Sequence, residues 1–405
     1  MFDLLKLVGI LALIIFLLRF GWNVGLVLLL ASLATGLLFG QPLGDLALDA
    51  VGAAVDPLTL RLVAIVLLIT YLGLILGRTL QMEGLIRSLS DLFLDRRWLL
   101  AILPMLIGLL PMIGGAMFSA PMVEEASQGM QVSRGRKTFV NYWFRHSLET
   151  IFPLYPSLVL AAGLMGASPQ TLTRTQWPLF LATLAGGILF GLVGIKRAAA
   201  AADDGETDRR DSLLLLAKSI WPIVLVLGLS IALGVDLVLS LVITIAALIA
   251  VYRLGPRPLW DLARAMPLGT VPIIVGTMVF RRVLESSGAV EAVSVGFAEL
   301  GIPVYVIVFT VPFVAGLLTG LALPAFAIGF PIVLPLCGPD VVASGCGLLA
   351  YAGGYVGLLL SPVHLCLGLT RVYFRATWGG VYRHIVPAGL LIVVTAVAVV
   401  LVRAV

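Results

Sequence analysis

The chain has 405 residues, of which 60% are hydrophobic and only 12% carry a formal charge, and its mean hydropathy is +1.12. A chain this apolar cannot expose its whole surface to water, so the composition excludes a soluble globular protein and indicates an integral membrane protein. The net charge of +5 is spread over many short loops. This distribution argues against a nucleic-acid partner and fits membrane topology, with lipids as the surroundings.

Segments of about 20 apolar residues are long enough to cross a bilayer. We predict ten of them, at 2–20, 22–40, 58–80, 139–165, 176–195, 213–234, 235–253, 266–284, 341–370 and 386–402. The first is predicted to span the membrane, because no small-residue cleavage site follows it and a second apolar segment begins at once. Amphipathic connectors at 82–97 and 288–300 are expected to lie along the interface.

Two apolar hairpins with glycine-rich tips are predicted, one in each half of the chain, and each is followed by a helix that proline interrupts. The tips contain Gly114 and Gly115 in the first hairpin, and Thr319 and Gly320 in the second. In chain order, the inner hairpin, the first broken helix, the outer hairpin and the second broken helix span about 99–127, 139–165, 301–336 and 341–370. Such paired interruptions in corresponding halves indicate the binding site of a secondary transporter.

The distribution of basic residues among the loops predicts the orientation. Most of them fall in alternate loops, which places both termini outside the cell. On that topology residues 1–196 and 213–405 form two repeats of opposite orientation, joined by a cytoplasmic linker at 197–212. The predicted fold class is therefore an all-α membrane protein with about ten transmembrane helices and two re-entrant hairpins in two inverted repeats.

Glycine and proline in these segments predict where backbone groups become available to a ligand. Gly115 and Gly320 allow sharp turns with N–H groups facing inward. Proline at 153, 156 and 362 removes helical hydrogen bonds and frees the carbonyls of residues 149, 152 and 358, which favour cations or protonated donors. A simple packing kink is the alternative at each proline.

Polar residues inside the apolar segments are few. Helical spacing places Asn141, Arg145 and Glu149 along one face, with His146 beside it. Arg145 is predicted to anchor an oxyanion, and His146 or Glu149 to carry a coupling proton. The alternative is an internal Arg145–Glu149 pair that fixes this helix against its neighbour.

In the second half, His364 follows the proline break and is expected to face the same cavity, together with Tyr351; a buried core histidine is the alternative. The three cysteines, Cys337, Cys346 and Cys366, are expected to be small buried residues. The predicted substrate-binding residues are Gly114, Gly115, Ser119, Asn141, Arg145, Thr319, Gly320, Tyr351, Ser361 and His364, and the predicted proton-coupling residues are His146 and Glu149.

Three runs carry a resemblance to a known family: PMIGGAMFSAPMV ending at Val123, FVNYWFRH ending at His146 with FPLYP after it, and LSPVHLCL ending at Leu367. Over roughly positions 60 to 375 the chain resembles the uncharacterised prokaryotic membrane family called domain of unknown function 401. That family is grouped with the ion-transporter superfamily of arsenite, gluconate, citrate and dicarboxylate permeases. The resemblance implies a scaffold and a transport domain, an elevator motion and a homodimer.

One departure from the superfamily concerns the hairpin tips. The dicarboxylate branch has a Ser-Asn-Thr pattern there, whereas the tips of this chain contain Ser119 and Thr319 without the asparagine. This difference favours proton over sodium coupling and a substrate that is anionic or partly apolar.

We therefore predict a secondary active transporter that moves a small organic anion across the cytoplasmic membrane of a prokaryote by elevator-type alternating access. An amphipathic or lipid-like substrate is the nearest alternative. No enzyme motif such as HExxH or GxSxG occurs, and no run resembles a channel filter, so an intramembrane enzyme or a channel is less favoured. No cofactor and no metal site is predicted.

Overall fold

The computed structural model describes residues 2–79, 95–109, 115–196 and 209–403, and every regular element within these ranges is helical. The predicted tip residue Gly114, most of the connector at 82–97 and most of the linker at 197–212 lie outside the described residues.

The described helices of the first half are α1 (Phe2–Arg19), α2 (Val24–Leu38), α3 (Leu43–Ala54), α4 (Pro57–Thr79), α5 (Arg96–Gly108), α6 (Ala116–Ala126), α7 (Arg134–His146), α8 (Pro156–Leu164), α9 (Pro169–Thr175) and α10 (Trp177–Gly187). Helix α7 continues as a 3₁₀ turn over Ser147–Thr150, and α10 as a π-helical turn over Ile188–Leu192.

The described helices of the second half are α11 (Arg209–Leu227), α12 (Leu237–Tyr252), α13 (Pro256–Arg264), α14 (Thr270–Ser286), α15 (Ala289–Glu299), α16 (Val304–Thr319), α17 (Ala322–Val333), α18 (Cys346–Leu360), α19 (Leu365–Tyr373) and α20 (Trp378–Arg403). Helix α11 continues as a π-helical turn over Gly228–Ala232, and α17 as a 3₁₀ turn over Leu334–Cys337.

Several helices are long and apolar enough to cross a membrane. Four qualify alone, at Pro57–Thr79, Ser212–Ala232, Cys346–Tyr373 and Trp378–Arg403, and α9 with α10, bent by 54°, would make a fifth. Large apolar side chains such as Val224 and Leu390 are exposed on them, which suits a lipid environment. The membrane-embedded, all-helical class is thus confirmed, at a coarser level than the predicted ten spans.

The two halves contain corresponding helices that pack on each other reciprocally. Helix α2 packs against α14, and its counterpart α12 packs against α4. In the same way α8 packs against α17, and α19 packs against α6. These two contacts between the halves are therefore each repeated with the halves exchanged.

Loops gather at two ends of the molecule with different charge. At the first end, called the acidic end, Asp49, Asp56, Glu285 and Glu291 line two adjoining depressions that share Arg281. At the second, called the basic end, a depression is lined by Arg134, Lys137, Arg375 and Glu124, and Lys137 Nζ lies 2.9 Å from Glu124 Oε1.

The two broken helices run in opposite directions between these ends. Helix α7 begins with Arg134 at the basic end and α8 finishes near Met165 at the acidic end. The counterpart of α7, helix α18, begins next to Met165, because Gly347 packs against that side chain, and α19 finishes with Tyr373 at the basic end.

A disulfide joins Cys337 to Cys346 at the acidic end, with their Cα atoms 5.8 Å apart. The expectation of three simple buried cysteines was wrong for this pair. The chain turns back between them through Gly338 and Gly345, whose positive φ angles of 70° and 78° favour glycine. Cys366 is a free thiol with intermediate exposure.

The second hairpin packs on the second broken helix through backbone atoms. A Cβ on Gly353 would lie 2.2 Å from the carbonyl oxygen of Phe309, and one on Gly357 would lie 2.1 Å from that of Phe313. Small residues let helices in a membrane approach this closely. The contact between α16 and α18 therefore depends on these two glycines.

We predict that Gly357→Ala lowers the melting temperature of the detergent-solubilised protein. The added methyl forces the two backbones apart at a cost of about 1–3 kcal/mol. Gly77→Ala is the matched control, since nothing lies within 4 Å of a Cβ there. An unchanged melting temperature for Gly357→Ala would show that the two helices are not in backbone contact.

Candidate functional site

The middle of the molecule is where both hairpins and both broken helices end and restart. Helices that finish there are α5, α7, α16 and α18, and helices that begin there are α6, α8, α17 and α19. Every such end leaves backbone groups without helical partners, and in an apolar interior these groups need other partners.

Tyrosine side chains satisfy the carbonyl ends across the two halves. Tyr142 Oη, on α7, donates to the carbonyls of Leu358 and Leu359 at the end of α18, at 3.3 Å each. Tyr355 Oη, on α18, donates in return to the carbonyl of His146 at the end of α7, at 2.8 Å. These reciprocal bonds hold the two interruptions against each other.

The carbonyls that proline was expected to free for cations are already hydrogen-bonded. Tyr351 Oη donates to the carbonyl of Glu149 at 2.6 Å, and Tyr142 donates to that of Leu358. The carbonyl of Phe152 accepts from the backbone N–H of Tyr155 at 3.1 Å. Donors of the protein itself are thus bonded to the carbonyls that were predicted to be available to a ligand.

The hairpin ends are tied to the broken helices in the same reciprocal way. Tyr155, directly before α8, donates its hydroxyl to the carbonyl of Gly108 at the end of α5. His364, directly before α19, has its Nδ1 against the carbonyl of Gly320 at the end of α16. Gly320 has a positive φ of 65°, and a Cβ there would lie 2.9 Å from the backbone nitrogen of His364.

Four helices have their N-termini in the middle of the molecule. Side-chain caps are present on some helices that begin towards its ends, provided by Asn23, Asp95, Ser133, Ser168 and Asp236, but not on α18, which begins at the acidic end. None of α6, α8, α17 and α19 has a side-chain cap hydrogen bond among the described residues. Four helix N-termini with their partial positive charge therefore lie in the same region as Arg145.

Arg145 lies on α7 and is only 7% exposed. Its Nη1 donates to the carbonyl of Ile107 at 3.0 Å, and its guanidinium covers Gly115, where a Cβ would lie 2.5–2.6 Å from the guanidinium atoms. Gly115 at the N-terminus of α6 therefore makes room for a cation, a role beyond the sharp turn expected from sequence.

The predicted helical face of Asn141, Arg145 and Glu149 is interrupted, because α7 changes to a 3₁₀ turn at Ser147. Glu149 is 9% exposed, and its Oε1 lies 4.0 Å from His146 Nε2. Within the part of the chain that the structure describes, Glu149 Oε2 has no hydrogen-bond partner.

The two halves meet at a pair of histidines. His146 Nε2 and His364 Nε2 are 3.1 Å apart. His146 Nδ1 lies 2.7 Å from the carbonyl of Tyr142, and His364 Nδ1 contacts the carbonyl of Gly320. A carbonyl only accepts, so both Nδ1 atoms carry hydrogen, and when both rings are neutral neither Nε2 has a hydrogen to donate to the other. A positively charged ion between the two Nε2 atoms would interact favourably with both.

Other predicted site residues surround this centre. Asn141 Nδ2 donates to the carbonyl of Ala116 at 3.0 Å and to Thr370 Oγ1 at 3.2 Å, while Asn141 Oδ1 has no partner among the described residues. Ser119 is fully buried and its hydroxyl bonds within α6. Ser361 Oγ donates to the carbonyl of Leu317 at 2.7 Å.

Thr319 is not brought to this centre. Its hydroxyl donates to the carbonyl of Ala315 within α16 at 2.7 Å, and it lines an apolar groove beside Leu11 and Ile14 of α1. The remaining predicted residues within the described ranges belong to the centre or to the hydrogen bonds that hold it.

Sequence reasoning missed the partners that join the halves. Tyr142, Tyr155 and Cys366 were not among the predicted site residues. The usable signal was a tyrosine one turn before each interruption, Tyr142 before His146 and Tyr355 before Leu359. Because each tyrosine stands four residues before an interruption, the two tyrosines could have been predicted to have the same role in the two halves.

We predict that Tyr142→Phe and Tyr355→Phe each destabilise the protein. Removal of a buried donor leaves a carbonyl unsatisfied, which costs about 1–3 kcal/mol. Tyr305→Phe is the control, because that ring is 45% exposed. Thermal unfolding in detergent measures the three variants, and equal melting temperatures would contradict the reciprocal hydrogen bonds.

Comparison with known proteins places the chain in one family. The model of that family, described as "Protein of unknown function (DUF401)", matches residues 3–405. The match extends the resemblance seen over positions 60 to 375 to nearly the whole chain. A search of curated proteins with this chain found no match.

Proposed function

This chain belongs to the DUF401 family of proteins of unknown function, and we propose that it is a secondary transporter that carries a small organic anion by alternating access. The proposal includes the predicted inverted repeats and elevator-type motion. It rests on the site itself, since the family assigns no activity.

The observation that carries the proposal is the reciprocal packing of the two halves around a buried polar centre, where the two broken helices run in opposite directions. Helices α6 and α19 pack together on one side, and α17 and α8 on the other. If each half can adopt the conformation of the other, the protein has two related conformations. One is open to each end of the molecule, and both surround the same central residues. A protein with only a structural role in the membrane has no need of such paired interruptions.

Charge at the centre supports an anion as the substrate. Arg145 supplies a buried guanidinium with a planar set of donors that matches a carboxylate. Uncapped N-termini of α6 and α19 add partial positive charge nearby. In an apolar surrounding this charge favours an anionic group that enters between the hairpin tips.

Two independent features support the predicted orientation. The end lined by Arg134, Lys137 and Arg375 suits the cytoplasm under the positive-inside rule. The Cys337–Cys346 disulfide lies at the other end, and disulfides persist in oxidising compartments outside the cytoplasm. Both features support an orientation with the acidic end outside.

For the transport proposal, we predict that a small carboxylate or related oxyanion raises the melting temperature of the purified protein. Saturation at a hundred times the dissociation constant stabilises by about 2.7 kcal/mol. Arg145→Lys keeps the charge and loses the planar donors, so its affinity should fall about tenfold or more, since a hydrogen bond to a charged group contributes about 1.5–3 kcal/mol. Arg174→Lys, at the acidic end, is the matched control.

The anion that stabilises the protein is then radiolabelled and followed in proteoliposomes. Saturable uptake that Arg145→Lys weakens and Arg174→Lys leaves unchanged is the expected result. Flux that rises without saturation would indicate a channel, and chemical conversion of the ligand would indicate an enzyme. Equal binding by wild type and Arg145→Lys would contradict the assigned anchor.

The orientation is tested by cysteine labelling in whole cells, in a Cys366→Ser background. Glu291→Cys at the acidic end is expected to react with a membrane-impermeant maleimide from outside, whereas Arg134→Cys at the basic end reacts only after permeabilisation. Both side chains are exposed at their ends. The opposite pattern would reverse the topology.

A further inference from the structure

We propose that His146, His364 and Cys366 form a binding site for one transition-metal ion of the Zn²⁺ class. Their three ligand atoms, the two Nε2 atoms and Cys366 Sγ, lie within 4.8 Å of one another. The site is shared between the halves, because His146 ends α7 while His364 and Cys366 lie at the start of α19. It lies in the same buried centre as Arg145, and its tests do not depend on anion transport.

The geometry of the two histidines suits a tetrahedral ion. Zn–N bonds of about 2.0–2.1 Å at a tetrahedral angle put the two nitrogens about 3.3 Å apart. The observed separation of His146 Nε2 and His364 Nε2 is 3.1 Å. A cation between them would also accept the lone pairs of two neutral Nε2 atoms.

The surroundings of both rings are those of metal-binding histidines. Each Nδ1 donates to a backbone carbonyl, that of Tyr142 for His146 and that of Gly320 for His364. Such outer hydrogen bonds fix the tautomer that leaves Nε2 free as a ligand, and they orient the ring. Tyr142 also packs against both rings, with centroid distances of 4.7 and 5.3 Å.

The third and fourth ligands supply negative charge. When a sulfur–metal bond forms, the thiol of Cys366 loses its proton to solvent and binds as thiolate. Glu149 Oε1 lies 4.0 Å from His146 Nε2, and Oε2 of the same carboxylate has no hydrogen-bond partner within the described ranges. Thiolate and carboxylate together cancel the two charges of Zn²⁺, and a set of two nitrogens, one sulfur and one oxygen suits zinc over Mg²⁺ or Ca²⁺.

Binding of the ion would connect the first broken helix to the second. His146 is joined to α18 through the Tyr355 hydroxyl, and His364 to the end of α16 through Gly320. An ion held by ligands from both halves would therefore stabilise the arrangement in which the two interruptions are in contact.

The first test uses the unmodified protein in detergent. Cys366 is its only free thiol, since the other two cysteines are disulfide-bonded. Stoichiometric Zn²⁺ is expected to slow the reaction of Cys366 with N-ethylmaleimide, EDTA to restore the reaction, and Mg²⁺ to have no effect. A reaction rate that Zn²⁺ leaves unchanged would overturn the proposal.

The second test uses variants with Zn²⁺ and Co²⁺ as probes. His364→Ala and Cys366→Ser are each expected to weaken Zn²⁺ binding by at least about 100-fold, the upper end of the loss caused by removal of an outer partner. Cys366→Ser should also abolish the sulfur-to-cobalt charge-transfer band.

His384→Ala is the matched control for these variants. His384 is the third histidine of the chain, and its ring lies against Phe139 and the carbonyl of Phe190, away from the site. Equal affinity in His364→Ala and His384→Ala would refute the site. None of these readouts depends on transport, so failure here leaves the proposed function standing, and a failed uptake assay leaves the metal site standing.

Discussion

The need to satisfy interrupted helix ends inside an apolar protein is the constraint on which this structure depends. Glycine and proline stop four helices in the middle of the molecule, and each stop exposes carbonyls that lipid cannot solvate. For the two broken helices, Tyr142 and Tyr355 satisfy these carbonyls reciprocally. Each hydroxyl donates from one half to the end of the broken helix of the other half. The two halves are thus joined where their broken helices are interrupted.

The same constraint produces the electrostatics of the centre. Carbonyl ends have tyrosine, histidine, serine and arginine side chains as partners, whereas the adjoining helix N-termini have no side-chain caps. The negative ends of the helix dipoles are therefore neutralised and the positive ends are not. Arg145 adds a full charge to this excess, and the buried carboxylate of Glu149 opposes part of it.

Much of the fold was predictable from the sequence, because local composition dictates where a membrane helix stops. The break at Pro362 was located to within two residues, since α18 ends at Leu360. The hairpin over 301–336 matches α16 and α17, and the connector at 288–300 matches α15. Short helices α3, α9 and α13 were missed because each is too short to give an apolar segment of spanning length.

The candidate site was predictable only in part. Arg145, His146 and His364 were identified because polar groups stand out in apolar segments. Their partners were not identified, because contacts such as Tyr351 with Glu149 join residues about 200 positions apart, and helical spacing describes only one helix at a time. The Asn141–Arg145–Glu149 face was predicted from a continuous helix, whereas α7 changes to a 3₁₀ turn after His146, because Pro153 and Pro156 prevent the α-helix from continuing.

The central claim is that one site is reached from both ends of the protein. The native thiol of Cys366 measures this directly, because it belongs to the centre and needs no substitution. We expect a membrane-impermeant thiol reagent to label Cys366 both in right-side-out and in inside-out vesicles. Labelling from one side only, under every condition that leaves the protein folded, would contradict alternating access.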